Sequence, residues 1–555
     1  MTDASVARLS ILLAQMNPTL GDIAGNVDKM RRILDRAQAA GADLVVTPEL
    51  SICGYPPEDL VYRRAFLEAV EQGVEALAEE TIGRPALLVG APWRCDIGVV
   101  NAALLLADGA IQAVRAKHHL PNYGVFDEQR VFVPGPLPEP VEFKGARLGV
   151  LVCEDMWYSD VASHLKAHGA EILVVPNGSP FEVDKHEVRL NHAVARVSES
   201  GLPLVYVNQV GGQDELVFDG GSFVVNGDYA LAARAASWGE DELLTRWSRS
   251  ARFGSWAVEA ARIEPQLDRC AEIYNAMVLG TRDYVNKNGF PGVILGLSGG
   301  IDSALCAAVA VDALGPDRVR CVMMPSPYTS GHSLEDAGAV AQALGVRYDT
   351  VNIGPAMAAF DTMLGDLFEG RAPDITEENI QSRARGMVLM ALSNKFGPMV
   401  LSTGNKSEMS VGYATLYGDM NGGYNPLKDV YKTDVFAVCR WRNANRPEGV
   451  LGPSGPVMPD RVITKPPSAE LREDQKDEDS LPPYDVLDAI LRGLNEDQKG
   501  VRDLVHDGYD QATVEKVWTL LNRAEYKRRQ APPGVKITRL AFGRDRRYPI
   551  TTRFK

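Results

Sequence analysis

The chain has 555 residues, of which 45% are hydrophobic and 24% charged, with 51 glycines and 34 prolines. At roughly 150 residues per domain, this length excludes a single small fold, and the composition excludes a disordered or fibrous protein. The formal net charge of −15 argues against a nucleic-acid partner, because such binding depends on an excess of Lys and Arg on one face.

The cysteines and the hydropathy pattern predict a cytoplasmic location. The seven cysteines are scattered and form no CxxC pair, which indicates neither a zinc site nor a disulfide framework. The N-terminal apolar run stops at Asn17 and Pro18, too early for a signal peptide, and no apolar stretch reaches the roughly 18 residues of a membrane helix. We therefore expect a cytoplasmic protein without a membrane partner.

Short aliphatic runs separated by Gly, Pro and Asn occupy residues 1–245, which we predict to be a layered α/β domain. Runs that are apolar on successive positions are typical of strands buried on both faces. The periodicity of residues 27–40 predicts an amphipathic helix, and Asp108 with Gly109 predicts a hairpin turn. The predicted buried strands are 9–14, 44–47, 86–90, 148–153, 172–176 and 204–207.

Three chemically different residues, Glu49, Lys117 and Cys153, lie at the ends of predicted strands, where active sites gather in such folds. A cysteine attacks only as a thiolate, so it needs a nearby base or cation. Glu49 can supply the base, and Lys117 can stabilise the oxyanion that develops when an amide is attacked. Taken alone, Cys153 is more simply a buried small side chain. The adjacent His118 and His119 do not indicate a metal site, since neighbouring side chains on a strand point to opposite faces.

The local sequence favours catalysis. The segments PELSICGYPPEDL, KHHLPNYGVFDEQRVF, GVLVCEDMW and NGSPF resemble the carbon-nitrogen hydrolase (nitrilase) superfamily, specifically its glutaminase branch. The resemblance implies an αββα sandwich in which the three residues above are general base, oxyanion-stabilising lysine and nucleophile, with Glu128 as an additional glutamate. It also implies glutamine contacts from Tyr123, Ser179 and Lys185, over which Phe181 can close.

Strand-like runs are missing from residues 246–272, which we predict to be a helical linker. A second domain is predicted over 273–555, beginning with a helix. Residues 453–483 are rich in Pro, Glu and Asp, including Asp474 and Asp477, and are predicted to form a mobile surface loop. The predicted strands of this doubly wound, Rossmann-like α/β unit are 292–297, 319–324, 348–353 and 399–402.

A glycine-rich loop connects the first of these strands to a predicted helix. It consists of Gly296, Leu297, Ser298, Gly299, Gly300, Ile301, Asp302 and Ser303. Glycines allow close backbone approach, and a helix N-terminus offers unpaired N–H groups to an oxyanion. The loop is not a Walker A motif, because no Lys stands before Ser303. It nevertheless predicts a nucleotide-binding site.

The SGGIDS motif resembles the pyrophosphate loop of ATP pyrophosphatases, and EENIQSRARGMVLM, LSTGNKSEMSVGYATLYGDMNGGYNPLKDVYKT and EYKRRQ resemble NAD synthetases. The resemblance implies that the glycine-rich loop surrounds the pyrophosphate, that Thr403 lies near ATP, and that Asp302 and Glu408 bind Mg²⁺, for which carboxylates are suited. The residues that the resemblance places around deamido-NAD are Asn379, Arg383, Glu408, Asp419, Lys432 and Lys527.

From Lys516 onward, cations outnumber acids. This stretch is interpreted as a charged surface that docks on acidic parts of the same protein. The alternative is that the stretch forms an anionic ligand site or a subunit contact. Lys527, which lies in this stretch, would belong to such a ligand site.

The order of a glutaminase followed by a synthetase resembles the glutamine-dependent NAD synthetases over nearly the whole chain. The resemblance implies a ligase for the last step of NAD biosynthesis, with glutamine, ATP and deamido-NAD as substrates, Mg²⁺ as cofactor and no prosthetic group. Glutamine would yield glutamate and ammonia, and ammonia would displace AMP from adenylated deamido-NAD. We also expect a homo-oligomer and an internal ammonia tunnel, since free ammonia is mostly protonated in the cytosol.

Two alternatives belong to other classes. Some proteins with SGG-type loops modify tRNA, but the acidity of the chain and the lack of paired cysteines oppose this function. A non-catalytic metabolite sensor with a vestigial hydrolase domain is opposed by the presence of Glu49, Lys117, Cys153 and Asp302.

Overall fold

The computed structural model describes residues 7–250, 254–259, 261–473 and 475–553. The chain divides into two compact units. The first contains the described residues up to 213 and those of 217–267, and the second contains 214–216 and the described residues from 268 onward. None of the helices in the described part of the chain is long and apolar enough to span a membrane.

Two β-sheets form the centre of the first unit, and aliphatic side chains from both sheets belong to one shared core. The strands up to residue 267 are β1 (Arg8–Gln15), β2 (Leu44–Val46), β3 (Ala86–Cys95), β4 (Gly98–Ala107), β5 (Ala110–Ala116), β6 (Val141–Phe143), β7 (Ala146–Val150), β8 (Ile172–Asn177), β9 (Leu204–Asn208), β10 (Val210–Gln213), β11 (Leu216–Asp219), β12 (Phe223–Val225), β13 (Leu231–Arg234), β14 (Asp241–Arg249) and β15 (Trp256–Val258). The seven-stranded sheet has the order β15-β14-β1-β2-β3-β4-β5 and the six-stranded sheet the order β13-β12-β9-β8-β7-β6, while β10 and β11 pair separately.

Helices cover the outer faces of these sheets. They are α1 (Ile23–Ala40), α2 (Arg64–Glu79), α3 (Ser159–Ala167) and α4 (Lys185–Ser200). Helix α2 packs on α1 and on β3 and β5, and apolar residues of α3 and α4 share a core with β8, β9 and β12. Every residue of β8 and β9 is buried, because one face meets the opposite sheet and the other meets helices. The predicted αββα sandwich is thereby confirmed.

The predicted hairpin is also confirmed. Strands β4 and β5 pair antiparallel around Asp108 and Gly109, which have φ angles of 50° and 83°. Positive φ at both central residues is the requirement of a type I′ turn, whose twist matches that of the flanking strands.

The predicted helical linker 246–272 is wrong for most of its length. Strand β14 continues to Arg249, β15 follows, and the next helix begins only at Arg269. In β14, Leu243, Thr245 and Trp247 are buried while residues between them are more exposed. This alternation with a period of two marks a strand with one buried face, whereas the prediction relied on continuous apolar runs.

The second unit contains a parallel four-stranded sheet with the order β18-β17-β16-β19. Its strands are β16 (Val293–Gly296), β17 (Val319–Met323), β18 (Arg347–Thr350) and β19 (Met399–Val400). Its helices are α5 (Arg269–Lys287), α6 (Ile301–Leu314), α7 (Gly331–Leu344), α8 (Gly354–Leu364), α9 (Ile375–Phe396), α10 (Lys406–Val411), α11 (Lys432–Ala444), α12 (Asp460–Thr464), α13 (Tyr484–Asn495), α14 (Val501–His506), α15 (Gln511–Arg523) and α16 (Glu525–Arg528). All four predicted strands are present, which confirms the α/β class of this unit.

The segment 453–483 is more than a surface loop. It contains α12 and a 3-10 helix over Asp477–Asp479, and Val457, Val462 and Leu481 are buried. Its predicted mobility stays a prediction, and Asp474 lies outside the described residues.

Candidate active sites

In the first unit, Lys117 lies between two glutamates. Its Nζ donates hydrogen bonds to Glu49 Oε1 at 2.7 Å and to Glu128 Oε1 at 2.8 Å. The side chains of Lys117 and Glu49 are fully buried, and that of Glu128 is nearly so. A buried ion pair is stable only if its remaining polar atoms are also satisfied.

Three groups that the sequence interpretation missed satisfy these carboxylates. Asn101 Nδ2 donates to Glu49 Oε1 at 2.7 Å, the Gly178 N–H donates to Glu49 Oε2 at 2.9 Å, and Tyr55 Oη donates to Glu128 Oε1 at 2.8 Å. Tyr55 stands inside one of the segments that carry the family resemblance, and Asn101 is a polar residue in the otherwise apolar strand β4. These two features of the sequence could have identified Tyr55 and Asn101 as site residues.

Cys153 begins a 3-10 helix over Cys153–Trp157, is 5% exposed and has a φ angle of 47°. Asp155 ties this turn to the loop that follows Lys117. Its Oδ2 accepts from the Val152 N–H at 3.0 Å, and its Oδ1 accepts from the backbone N–H groups of His118 at 3.0 Å and His119 at 2.8 Å. The fold thus holds the cysteine and the lysine segments together.

Burial and neighbouring charges shift the proton affinities of this cluster. Burial raises the pKa of the Cys153 thiol well above its usual value, Glu49 raises it further, and Lys117 and the Gly178 N–H oppose the rise. Burial raises the pKa of Glu128 to about 7, against the influence of Lys117. Burial alone would lower the pKa of Lys117, but Glu128 and Glu49 raise it. The lysine is therefore charged and the thiol protonated at neutral pH, so attack by Cys153 requires a base.

Ser179 and Phe181, two of the predicted glutamine contacts, are buried. The Ser179 N–H donates to Asn208 Oδ1 at 2.9 Å, and Ser179 Oγ accepts from Arg189 Nε at 3.0 Å. The ring of Phe181 lies edge-on to Trp238, with 4.8 Å between centroids. Buried Arg189, which the sequence interpretation missed, thereby fixes the turn that carries both residues.

The other two predicted glutamine contacts, Tyr123 and Lys185, lie nearer the surface, on either side of Phe126. Tyr123 is 52% exposed, and its Oη is 3.0 Å from both carboxylate oxygens of Glu154. The ring centroid of Phe126 is 5.5 Å from that of Tyr123 and 6.0 Å from Lys185 Nζ.

The prediction that His118 and His119 point to opposite faces is wrong. Strand β5 ends at Ala116, so both residues lie in a loop, and their rings meet edge-on with 4.7 Å between centroids. His119 Nε2 is 2.9 Å from Asp160 Oδ1.

In the second unit, the glycine-rich loop links β16 to α6, as predicted. Gly299 has a φ angle of 82°, and a Cβ atom there would lie 2.3 Å from the Ser333 carbonyl oxygen, so only glycine fits. Ser303 Oγ donates to the Gly300 carbonyl at 3.0 Å and accepts from the Ser298 N–H at 3.2 Å. These contacts hold the loop at the N-terminus of α6, where anions are favoured.

A cavity of about 420 Å³ opens beside this loop. Its apolar lining includes Met323 and Leu389. The predicted site residues that line it are Gly296, Leu297, Ser298, Gly300, Ile301, Asp302, Ser303, Thr403, Glu408, Asp419 and Lys432.

Lys432 joins two of these carboxylates. Its Nζ donates to Asp302 Oδ2 and, at 3.2 Å, to Glu408 Oε1, while Asn405 Nδ2 donates to Asp302 Oδ1 at 2.8 Å. Burial raises the pKa of Glu408 to about 8; Lys432 opposes the rise, and Asp302 and Asp477 add to it. The site therefore holds more carboxyl groups than its one buried lysine pairs with.

Asn379, Arg383 and Lys527 are not among the cavity-lining residues but contact one segment beside it, residues 412–416. Thr415 Oγ1 donates to Asn379 Oδ1 at 2.8 Å, Arg383 Nε donates to the Leu416 carbonyl at 3.2 Å, and Lys527 Nζ donates to the carbonyls of residues 412 and 414 at 2.6 Å each. The structure brings the three residues to one region.

Several C-terminal cations pair with acids of the same stretch. Arg528 and Arg546 are buried and both donate to Glu525 Oε2, at 2.7 and 3.0 Å. Lys536 Nζ donates to Asp545 Oδ2 at 2.7 Å. These contacts lie within the stretch, so its docking on acidic parts elsewhere in the protein stays a prediction.

Comparison with known proteins assigns the family. The chain matches the family models of carbon-nitrogen hydrolase over residues 11–257 and NAD synthase over residues 273–531. It is 51% identical over 556 residues to a glutamine-dependent NAD(+) synthetase from Rhodobacter capsulatus, covering 100% of each chain, and 42% identical over 582 residues to one from Thermotoga maritima, covering 99% of each. The chain belongs to the glutamine-dependent NAD(+) synthetase family.

Solved structures of this family agree. The Acinetobacter baumannii glutamine-dependent NAD+ synthetase, solved in complex with ADP, matches with 44% identity and a TM-score of 0.78, over 98% of each chain. A synthetase of the same name from Cytophaga hutchinsonii matches with a TM-score of 0.82 at 22% identity, over 99% of this chain and 98% of that one, and shows the shared fold. The predicted enzyme class, a glutamine-dependent ligase of NAD biosynthesis that uses ATP, is confirmed.

Proposed function

We propose that the first unit releases ammonia from glutamine through Glu49, Lys117 and Cys153, and that the second unit uses ATP and this ammonia to convert deamido-NAD into NAD. The observation that carries the assignment of the first site is the buried Lys117 between two glutamates, tied through Asp155 to the turn of Cys153. Burying several ionisable groups together is costly even when they are paired, and such clusters are typical of functional sites.

In the proposed glutaminase step, Glu49 accepts the Cys153 proton as Sγ attacks the side-chain amide carbon of glutamine. Lys117, charged throughout, stabilises the oxyanion that forms on the amide oxygen. The proton held by Glu49 then passes to the leaving nitrogen, ammonia departs, and a thioester remains. Water, deprotonated by Glu49, hydrolyses the thioester to glutamate and regenerates the thiol. Tyr123, Ser179, Lys185 and Phe181 form the proposed glutamine pocket.

In the proposed synthetase step, the carboxylate of deamido-NAD attacks the α-phosphorus of ATP and pyrophosphate leaves. Ammonia then attacks the adenylated carboxyl carbon and displaces AMP. The loop from Gly296 to Ser303 would cradle the phosphates with its backbone N–H groups, and Thr403 would lie beside ATP. Lys432 would remain charged and stabilise the departing pyrophosphate.

The cavity fits a divalent cation. Five carboxylates and three cationic side chains line it, a formal balance of −2 that opposes binding of ATP alone. Asp302 and Glu408 would hold Mg²⁺, which prefers carboxylate and phosphate oxygens. When bound, Mg²⁺ supplies positive charge to the phosphates of ATP.

The deamido-NAD site is proposed to continue from the cavity to the segment 412–416. Asp419 lines the cavity, and its Oδ1 accepts from the Thr415 N–H at 2.7 Å. Because Thr415 also contacts Asn379, one hydrogen-bonded segment joins the cavity to the region of Arg383 and Lys527. We also infer a cytoplasmic location from the scattered, unpaired cysteines. The expected homo-oligomer and ammonia tunnel stay predictions.

The proposed function is tested with the full chain, ATP, Mg²⁺, deamido-NAD and glutamine labelled with ¹⁵N in its amide. Mass spectrometry should find the label in the carboxamide of NAD. Label that appears only in free ammonium would contradict the proposed transfer. Adding excess unlabelled ammonium tests the tunnel, since full dilution of the label would exclude a protected route.

A further inference from the structure

The described residues of the segment 465–477, called the wall segment below, contribute to the lining of the synthetase cavity. Residues 465–471 line the cavity, and Glu470 Oε1 accepts from Ser330 Oγ and Ser333 Oγ at 2.8 Å each. The Leu471 carbonyl accepts from Gln381 Nε2 at 2.8 Å. The segment that composition marked as a surface loop therefore covers the site.

The same segment places the carboxylate of Asp477 in the cavity lining, where the residue is 4% exposed. Tyr484 Oη donates to Asp477 Oδ2 at 2.8 Å, and the Tyr413 hydroxyl also faces this carboxylate. Among the residues that the structure describes, none forms a hydrogen bond with Asp477 Oδ1, which is buried. A buried carboxylate oxygen without a partner is costly, so the arrangement indicates that a ligand completes it.

The charges around Asp477 indicate what that ligand is. The acidic side chains of Asp302, Glu408 and Asp477 all act on Lys432, so three carboxyl groups surround one cation. Lys432 is already hydrogen-bonded to Asp302 and Glu408. One divalent cation bound by oxygen ligands would neutralise the cluster and occupy the free oxygen.

We propose that Asp477 is a third carboxylate ligand of the divalent cation in the synthetase site, beside Asp302 and Glu408. The inference rests on the cation chemistry proposed above and adds a residue from the wall segment to it. Because Asp302 belongs to the glycine-rich loop and Asp477 to the segment 465–477, a cation held by both would tie the wall to the phosphate loop. Cation binding would then stabilise the closed wall.

The test is a titration of the full chain with Mn²⁺, a spectroscopic substitute for Mg²⁺, in which electron paramagnetic resonance counts the free ion. Asp477→Asn should weaken Mn²⁺ binding about tenfold or more. The matched control is Glu478→Gln, which removes the same charge from the next, exposed residue and should leave the affinity unchanged. Equal affinity of Asp477→Asn and the unmodified chain would overturn the inference.

Hydrogen exchange of the unmodified chain provides a test that does not depend on how a variant folds. Mn²⁺ should slow amide exchange in peptides that cover residues 466–480, and Asp477→Asn should lose this protection. Unchanged exchange in the unmodified chain would also overturn the inference. Failure of the proposed function can be told apart from failure of this inference. The former would appear as absence of ¹⁵N-labelled NAD, whatever the Mn²⁺ affinity.

Discussion

Each unit buries a lysine between two carboxylates, but the two clusters are completed differently. Around Lys117, the N–H and O–H groups of Asn101, Tyr55 and Gly178 satisfy both glutamates. Around Lys432, in contrast, a third carboxylate, that of Asp477, lines a cavity of about 420 Å³ and has one oxygen without a hydrogen-bond partner among the described residues. The lysine and its two carboxylates are thus almost fully hydrogen-bonded by the protein in the first unit. In the second unit, the corresponding cluster has an additional carboxyl group that the protein does not fully satisfy.

This difference follows from the substrates. In the proposed function, glutamine would bring an uncharged amide to Lys117, so the first cluster would have to be organised before the substrate arrives and carry its own oxyanion stabiliser. ATP and deamido-NAD bring several negative charges, which bind only with cations. On this proposal, a site with more carboxyl groups than cations would recruit the metal ion together with the nucleotide.

The largest expected effect is that of Asp302→Asn, which removes charge from the second cluster, around Lys432. NAD synthesis should fall about 10²- to 10³-fold with either glutamine or ammonium as nitrogen source, because phosphate and cation binding are impaired. Release of glutamate should continue, since the first cluster is intact. Asp317→Asn, at an exposed residue of the same unit, is the control. Normal ammonium-dependent synthesis by the Asp302→Asn variant would contradict the claim that the second cluster is needed for the synthetase reaction.

Lys117→Met tests whether the first cluster depends on its buried lysine. It leaves Glu49 and Glu128 buried without their cation, which should lower the free energy of unfolding by about 3–5 kcal/mol and abolish glutamine hydrolysis. Calorimetry of the full chain measures the first quantity. Lys144→Met removes an exposed lysine paired with Asp43, and should change stability little. Similar destabilisation by both variants would be inconsistent with a special role for the buried pair.

The smallest effect is a pH dependence from Glu128. Its pKa is about 7 in the folded chain against an ordinary value of 4.5, so between these pH values the folded protein keeps a proton that the unfolded chain has lost. This group therefore makes stability fall as pH rises through that window, by about 1–3 kcal/mol in total. Glu128→Gln should remove the dependence. A constant stability difference between variant and unmodified chain from pH 4.5 to 7.5 would contradict the shift.

Local patterns in the sequence predicted much of this molecule. Continuous apolar runs located the buried strands, and the strand ends located Glu49, Lys117 and Cys153. The partners of these residues could not be predicted, because they are distant in the chain: Glu49 contacts Asn101 and Gly178, which lie 52 and 129 positions away. Which distant residues meet is decided by sheet order, and no local pattern encodes it.

Two segments were misinterpreted for related reasons. Strand β14 was missed because it is polar on its outer face. The segment 453–483 was taken for a surface loop because it is rich in charge, yet its Glu470 and Asp477 point to partners and a cavity inside the second unit. Charged residues that form a site are indistinguishable by composition from charged residues that face water.

The central claim is that the two clusters perform separate reactions, and Cys153→Ala tests it most directly. NAD synthesis by the full-length variant should be compared with glutamine and with ammonium as nitrogen source, with the exposed Cys95→Ala as control. Glutamine-supported synthesis should be lost, while ammonium-supported synthesis should match that of the unmodified chain. Loss of both activities in Cys153→Ala, or survival of the glutamine-supported one, would contradict the account.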